Sequence, residues 1–451
     1  MSRWDMIANI AEAQNFAYAS RSDIRRIQQE RFIRQVDRVW QTNSFYRRIW
    51  QETGLMHCAI NGLDDLPRIP VVYKEDFEAD LLAHPPWGTY QGQYALARIQ
   101  GSSGTTGEPK PFGITARDWK NIGILWARRL WAEGVRAEDR VQVAFAFALF
   151  IPGFSAVEGA MRLGATVVPT GSGAVTRSVQ QLAIARRFRT SVLGATGSYA
   201  WHLAEVAEQE GFVPHQDLSF KLMFHTGEPL PESTRRALED RWGCEAYDNY
   251  GSVETGAPTY QCSRHEGYHI MEDAYVFEIL DPVTKEPVEP GTEGALVVTS
   301  LYKEAAPVVR HWTGDRARLL PDPCPCGDRF GRLQVLGRLD DMIKVRGVTV
   351  YPSAIEALLT QDFPWVADYR LILSRELGLD VLTLSVEACD NRGRNPKEVE
   401  LAIEQRLNIR IPVEMWPNGR APWAEIRETA TKIRRIHDHR SPVQEVNKPR
   451  G

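Results

Sequence analysis

Between Tyr94 and about Asn249, short apolar stretches alternate with segments of helical spacing, and this alternation constrains the fold more than any other feature of the chain. Val141–Phe150, Ala165–Pro169, Thr190–Ala195 and Lys221–His225 read as strands, and residues 117–133, 155–163, 176–188 and 198–210 as helices. Strands separated by helices pair in parallel, in one sheet covered on both faces. Ahead of this region, residues 22–53 carry apolar positions at helical spacing (Ile24, Ile27, Phe32, Val36, Val39), and Asn43-Ser44-Phe45-Tyr46 breaks the run. Past Tyr268, Val276–Leu280, Gly294–Ser300 and Ala317–Leu320 are strand-like with tight turns between, which predicts a β-rich subdomain. The charged stretch Gly337-Arg338-Leu339-Asp340-Asp341 then leads into a last portion that reads strand, helix (353–360), strand (368–374), strand (381–387), helix (396–407) and a basic tail. A chain of 451 residues exceeds what one core supports. The expected fold is a large N-terminal α/β domain with a β-rich subdomain, residues 1–339, followed by a small mobile α+β domain, residues 340–451.

Directly after the strand-like Tyr94–Ile99 comes Gly101-Ser102-Ser103-Gly104-Thr105-Thr106-Gly107-Glu108-Pro109-Lys110. Few side chains obstruct its backbone N–H groups, the hydroxyls add donors, and Lys110 adds a charge, so the stretch suits a phosphate cradle. It lacks the Gly-Lys-Ser/Thr ending of a Walker loop. On composition alone such a run is a surface loop. Its position after a strand is what favours phosphate.

Four further segments qualify as ligand contacts only jointly, because each is ordinary turn or linker chemistry by itself. Asp248-Asn249-Tyr250-Gly251-Ser252-Val253-Glu254 offers an aromatic and backbone shelf ending in a carboxylate. Thr226-Gly227-Glu228-Pro229 is a turn. Trp312-Thr313-Gly314-Asp315 places a carboxylate after a glycine, suited to two ribose hydroxyls. Gly337-Arg338 to Arg346-Gly347 gathers charges around glycines, as a hinge near phosphates requires.

A net charge of −4 provides no field for nucleic acid, so a phosphate site here serves a small nucleotide. No apolar run approaches the roughly 20 residues of a membrane span, and Met1–Phe16 lacks a signal-peptide core, so a cytoplasmic protein is expected.

Taken in order, Ser102 to Gly107, Tyr250-Gly251-Ser252-Val253-Glu254, Thr313-Gly314-Asp315 and Gly337-Arg338-Leu339-Asp340-Asp341-Met342-Ile343-Lys344-Val345-Arg346-Gly347 resemble the motifs of the adenylate-forming (acyl-CoA synthetase) superfamily. Asn43-Ser44-Phe45-Tyr46-Arg47, Leu66-Pro67-Arg68-Ile69-Pro70 and the stretch ending Val350-Tyr351-Pro352-Ser353-Ala354-Ile355 make the chain similar to its phenylacetate–CoA ligase branch. The resemblance runs over essentially the whole chain. It implies an ATP-dependent aryl-acid:CoA ligase acting through an acyl-adenylate and releasing AMP and pyrophosphate, with ATP, Mg²⁺ and coenzyme A. The acid would be an arylacetate such as phenylacetate or indoleacetate. Ser102, Ser103, Gly104, Thr105, Thr106 and Gly107 would hold the β- and γ-phosphates, and Glu254 the Mg²⁺. Gly227, Glu228, Pro229, Asp248, Asn249, Tyr250 and Gly251 would line the adenine pocket, with Tyr250 and Gly251 also reaching the acid. Asp315 would take the ribose hydroxyls, Arg338 the ribose or phosphate side, and Asp340 the hinge, with Arg346 and Gly347 close to the nucleotide and CoA path.

Carboxylate attack on the α-phosphate brings two anions together, and a cation at the bridging oxygen offsets the repulsion. The resemblance assigns this to Lys432, although Thr431 stands where the family usually has glycine and Arg434 and Arg435 lie close by. Phe145, Phe147 and Phe150 around small alanines resemble the family's aromatic stretch and would form a flat slot for an aryl ring; as a plain sequence pattern they fit a buried strand equally. Cys324 and Cys326, with Cys262 and His269 upstream, supply the donor set of a closed structural Zn²⁺ site, with His265 as competing fourth ligand. Cys58, Cys244 and Cys389 stand alone. By resemblance alone the assembly is a homodimer. Two alternatives share the same motifs: an adenylating enzyme that loads a carrier-protein thiol, and an inactive nucleotide-binding homologue.

Overall fold

The computed structural model describes residues 19–102, 110–339, 343–345, 348–350, 352–376, 379–389, 393–407, 409–423 and 435–439. The chain divides into two compact units, Met1–Leu336 and Gly337–Gly451.

In the first unit, Arg21–Thr42 and Ser44–Glu52 are helices parted at Asn43, whose side chain accepts from the Tyr46 N–H and so caps the second helix. A two-stranded hairpin follows, β1 (Arg98–Ser102) against β2 (Lys110–Ile114), with Ser102 opposite Lys110. The glycine-rich loop is therefore the connection of a hairpin. Helix Ala116–Ala132 starts at a capping box in which Thr115 and Asp118 each accept the other's backbone N–H.

The central sheet consists of β3 (Arg140–Val143), β4 (Thr166–Val168), β5 (Val192–Gly194), β6 (Leu222–Phe224) and β7 (Glu245–Tyr247), all parallel, in the order β4-β3-β5-β6-β7. Its strands are short and, past the exposed starts Arg140, Thr166 and Glu245, apolar except for the buried Gln142, as suits strands covered on both faces. Helices Ile151–Arg162, Ser178–Phe188, Gly197–Gln209 and Glu232–Trp242 alternate with them. The predicted strand Val141–Phe150 is corrected: it ends at Val143, and Phe150 already stands at the N-cap position of the next helix, where Pro152 occupies the first turn.

The β-rich part is an antiparallel sheet of β8 (Thr259–Tyr260), β9 (Tyr268–Ile270), β10 (Tyr275–Leu280), β11 (Gly294–Ser300), β12 (His311–Leu320) and β13 (Arg332–Arg338), ordered β10-β11-β12-β13-β9-β8. Thr313-Gly314-Asp315, expected as a turn, lies inside β12. There Trp312 faces Val297 and Arg316 faces Ala295, so three residues oppose the single Leu296. This bulge accommodates Gly314 at φ +79° and re-aims Asp315.

The second unit contains β14 (Ile343–Val345) paired with β15 (Val348–Val350), helices Pro352–Asp362 and Pro396–Leu407, and a sheet of β16 (Val366–Glu376), β17 (Leu379–Ala388), β18 (Val413–Trp416) and β19 (Ile436–Asp438), ordered β18-β17-β16-β19. Its own apolar core includes Ile355, Leu371, Leu384, Val399 and Ile403. No helix among the described residues is long and apolar enough to cross a membrane.

Candidate active site

Residues 144–150, 225–229 and 248–251 leave the carboxyl ends of β3, β6 and β7. In parallel α/β sheets this edge is where ligands bind, because the backbone turns away and leaves a crevice.

The segment after β7 is held residue by residue. The Asp248 N–H donates to Gln261 Oε1 at 2.7 Å, and Asp248 Oδ2 accepts from the Tyr268 hydroxyl at 2.7 Å. Burial pushes the Asp248 carboxyl up to about 7, only partly offset by the Tyr268 hydrogen bond. Asn249 Nδ2 donates to the Thr259 carbonyl at 3.3 Å. The Tyr250 N–H donates to Thr259 Oγ1 at 3.0 Å, and the same hydroxyl donates to the Tyr250 carbonyl at 2.9 Å. The Tyr250 hydroxyl in turn donates to Asp315 Oδ2 at 2.5 Å, so the bulge in β12 and the shelf after β7 meet. Gly251 runs so close to the Gly256 carbonyl that a Cβ would lie 2.2 Å from it, and only glycine fits there.

After β6, Gly227 has φ +91°. Glu228 Oε1 accepts the Ser198 N–H at 2.5 Å, at the start of helix Gly197–Gln209, a carboxylate against a helix N-terminus. Arg129, fully buried, reaches from helix Ala116–Ala132 to donate to the His225 carbonyl at 2.8 Å and pairs with Glu133 at 2.8 Å.

Glu254 has neighbours that the sequence does not announce. Burial pushes its carboxyl up, but His311, a backbone N–H, the Ser252 side chain and Lys303 together hold it below its ordinary value, while burial lowers His311 itself. Lys303 Nζ donates to the Glu254 carbonyl at 2.6 Å. Burial brings the Lys303 ammonium down to about 8. The chain just after Lys303 is fixed by Asp118, whose carboxylate accepts the Glu304 and Ala305 N–H groups at 2.8 and 3.0 Å. A lysine following an apolar strand reads as an exposed end; only the long-range fold shows it pointing inward.

Of the aromatic stretch, Phe145 belongs to the main core, its ring 5.9 Å from that of Phe224. Phe147 is half-buried and meets Phe154 edge-on at 5.2 Å. Phe150 is half-buried at the helix start. The Gly101 N–H donates to the Leu149 carbonyl at 2.9 Å, which places this stretch beside the base of the glycine-rich loop. Lys110 is buried and ion-paired with Glu78.

Cys262, His269, Cys324 and Cys326 offer one ligand atom each, all within 4.8 Å of one another. The Cys262 and Cys324 sulfurs are 3.7 Å apart, and Cys326 Sγ lies 3.5 Å from His269 Nε2. A tetrahedral Zn²⁺ with ordinary bond lengths sets ligands about 3.4–3.8 Å apart, so these separations fit that ion. His269 Nδ1 lies 3.7 Å from Asp328 Oδ2, beyond hydrogen-bond reach, while that oxygen accepts from the Tyr260 hydroxyl. His265 stands apart, its ring 5.0 Å from that of Tyr247 and tilted 32° against it.

Ser102 is described only through its backbone, and Arg338 closes β13. Ser103, Gly104, Thr105, Thr106, Gly107, Asp340, Arg346, Gly347 and Lys432 lie outside the described residues.

Comparison with known proteins agrees with this arrangement. Residues 64–302 match the family described as AMP-binding enzyme, and residues 347–440 match the AMP-binding enzyme C-terminal domain. The chain is 35% identical to the phenylacetate-coenzyme A ligase of Thermus thermophilus, over 93% of this chain and 97% of that protein. It is 32% identical to the phenylacetate-coenzyme A ligase of Escherichia coli, over 87% of each. A crystal structure of 2-hydroxyisobutyryl-CoA ligase in the postadenylation state, in complex with 2-HIB-AMP, superposes with a TM-score of 0.88 at 29% identity, over 97% of this chain and 95% of that one. On these matches the chain belongs to the AMP-binding enzymes, the adenylate-forming superfamily, in its phenylacetate–coenzyme A ligase branch.

Proposed function

We propose that the protein is an ATP-dependent aryl-acid:CoA ligase, which joins an arylacetate-type acid to AMP with release of pyrophosphate and then passes the acyl group to the coenzyme A thiol with release of AMP. The observation that carries this reading is the Tyr250–Asp315 contact at the carboxyl edge of the parallel sheet, in a chain that aligns along most of its length with phenylacetate-coenzyme A ligases.

In this reading Gly227, Glu228, Pro229 and Asp248 to Gly251 receive the adenine, and Asp315 the ribose hydroxyls. Ser102 to Gly107 wrap the outer phosphates, and Glu254 holds the Mg²⁺, which supplies charge neutralisation at the phosphates. Held below its ordinary value by His311, the backbone and Ser252 hydrogen bonds and Lys303, Glu254 favours the charge state a hard cation requires. Phe147 and Phe150 flank the aryl ring, and Phe145 supports them from the core. Lys432 offsets charge at the attacking carboxylate. Residues 340–451 form the mobile domain that turns about Asp340 between the two half-reactions, with Arg338, Arg346 and Gly347 on its nucleotide and CoA side.

The four-ligand cluster is a structural Zn²⁺ site of Cys262, His269, Cys324 and Cys326. Four protein ligands leave no position open, so it takes no part in the chemistry. The same reading includes a homodimer in the cytoplasm.

The test is AMP release by purified protein with ATP and Mg²⁺, across phenylacetate, indoleacetate, benzoates and fatty acids, with and without CoA. CoA-dependent release on an aryl acid is expected. Pyrophosphate exchange with an acid but no response to CoA would move the acceptor to a carrier protein, and silence with every acid would leave a nucleotide-binding homologue.

A further inference from the structure

Hairpin β8–β9 pairs Thr259 with Ile270 and Tyr260 with His269. Its side chains serve two neighbours at once. Thr259, Gln261 and Tyr268 make the contacts that hold Asp248, Asn249 and Tyr250. Cys262 and His269 belong to the four-ligand cluster. The two sets are adjacent in sequence at both sides of the hairpin, Gln261 next to Cys262 and Tyr268 next to His269. One peptide unit is short and stiff, so where the cluster holds Cys262 and His269 it also fixes the partners of Asp248. From there Tyr250 carries the constraint to Asp315.

A hairpin with strands of two and three residues is not stable on its own. Three ties keep this one in place. β9 pairs with β13 through His269–Arg332 and Tyr268–Leu333, and the cluster joins the hairpin to the Cys324–Cys326 loop between β12 and β13. The first tie holds only β9. The third holds β8, where Tyr260 is buried in the core and its hydroxyl donates to Asp328, so the part that depends on Cys262 is the end of the hairpin with Gln261.

We propose that Thr259, Gln261 and Tyr268 are positioning residues for the adenosine half of the site, and that a metal in the cluster sets ATP affinity by ordering the hairpin that carries them; this rests on the nucleotide and Zn²⁺ readings above. With the metal present, the shelf is preformed and ATP meets it without an ordering cost. With the metal gone, β9 stays in the sheet through β13 and Tyr260 stays on Asp328, while Gln261 and the end of the hairpin at Cys262 loosen. ATP must then order the shelf as it binds, and affinity falls without loss of the fold. The protein becomes a nucleotide binder whose strength follows its metal content.

The experiment compares equilibrium ATP binding, without acid, in wild type, Thr259→Val and Thr259→Ser, with zinc content by elemental mass spectrometry and Tm recorded for each. Thr259→Val keeps the shape and removes two hydrogen bonds to Tyr250, so Kd for ATP is expected to rise about tenfold. Its KM for ATP should rise far more than kcat at saturating ATP falls, with zinc content unchanged, and Thr259→Ser should restore binding. A merely structural hydroxyl would lower Tm and leave the Kd where it was. In the second arm, wild type is stripped with a thiol-directed mercurial and a chelator, the mercury is displaced from the cysteines with excess dithiothreitol and removed, and the metal-free protein is then measured and reloaded with Zn²⁺. Kd should rise on stripping and return on reloading. Wild-type affinity in Thr259→Val overturns the positioning role, and wild-type affinity in the stripped protein overturns the coupling. Protein that carries no metal and takes up none overturns the metal half, while the valine variant still decides the positioning half. A wild type that binds no ATP overturns both along with the nucleotide site itself.

Discussion

The segments after β7 and after β3 leave the same edge of the same sheet, yet they are built differently. Asp248 and Asn249 are buried, and each of Asp248, Asn249 and Tyr250 has a fixed partner on the β8–β9 hairpin. Residues 144–150 have no regular structure, Phe147 and Phe150 are half-buried, and Leu149 is exposed. The adenosine moiety is common to every reaction of an adenylate-forming enzyme, and the region assigned to it is held by hydrogen bonds from several buried side chains of one hairpin. The acid is the variable partner, and its region presents side chains on a less constrained backbone, where a change alters a surface without undoing the fold.

The largest expected effect lies on the rigid side. Glu254→Gln keeps the size of the side chain and removes the charge that His311, local hydrogen bonds and Lys303 stabilise. If Glu254 holds the nucleotide's Mg²⁺, kcat/KM should fall about a hundredfold, the scale of losing one electrostatic contact to a transition state. The loss should be the same factor for every acid tested. A loss that varied from acid to acid would mean the two regions are not separable.

The second effect should be confined to the flexible side. Phe147→Ala opens space beside Phe154 and should shift the kcat/KM ratio of a larger to a smaller aryl acid by about tenfold, the scale of a few methylenes in an apolar pocket. KM for ATP should stay within about twofold of wild type. If ATP affinity falls in parallel, the aromatic stretch supports the nucleotide too, through the Gly101–Leu149 link, and the division drawn above is misplaced.

The two regions also differed in how far they could be read beforehand. The parallel sheet was legible because short apolar runs alternated with amphipathic helices, and helix Pro396–Leu407 begins and ends where its periodicity does. Val141–Phe150 misled because an apolar run does not distinguish a strand from a buried loop; Phe145 is apolar for its contact with Phe224 rather than for a place in the sheet. Thr313-Gly314-Asp315 carried a turn signal and proved to be a bulge, since glycine at positive φ serves both. The choice between His265 and His269 needed the hairpin register, which pairs His269 with Tyr260 and leaves His265 in the connection. Lys303 and His311 were invisible as partners of Glu254, because only the folding of β11 and β12 brings them there.

The smallest effect concerns the protonation of the rigid region itself. Burial pushes the Asp248 carboxyl from its ordinary 3.8 up to about 7. Between those values the native state holds a proton that the unfolded chain has lost, so this group makes stability fall as pH rises through the window. Asp248→Asn removes the titration and keeps an oxygen to accept from Tyr268. Relative to wild type, the variant should therefore gain stability as pH rises from about 4 to about 7, at up to about 1.4 kcal/mol per pH unit near the middle of that range. Glu133, also pushed up to about 7 by burial, contributes in the same direction as Asp248, and His225, brought down to about 4 by burial, contributes in the opposite one. Both remain in the variant; His225 cancels from the difference, and Glu133 does so apart from its repulsion of Asp248. Denaturant unfolding of the two proteins across this range measures it. A difference that does not change with pH would mean that Asp248 is ionised in the native shelf, stabilised by more charge than Arg129 and Tyr268 supply, and the shelf would then be a polar site open to water rather than the buried scaffold that separates it from the acyl side.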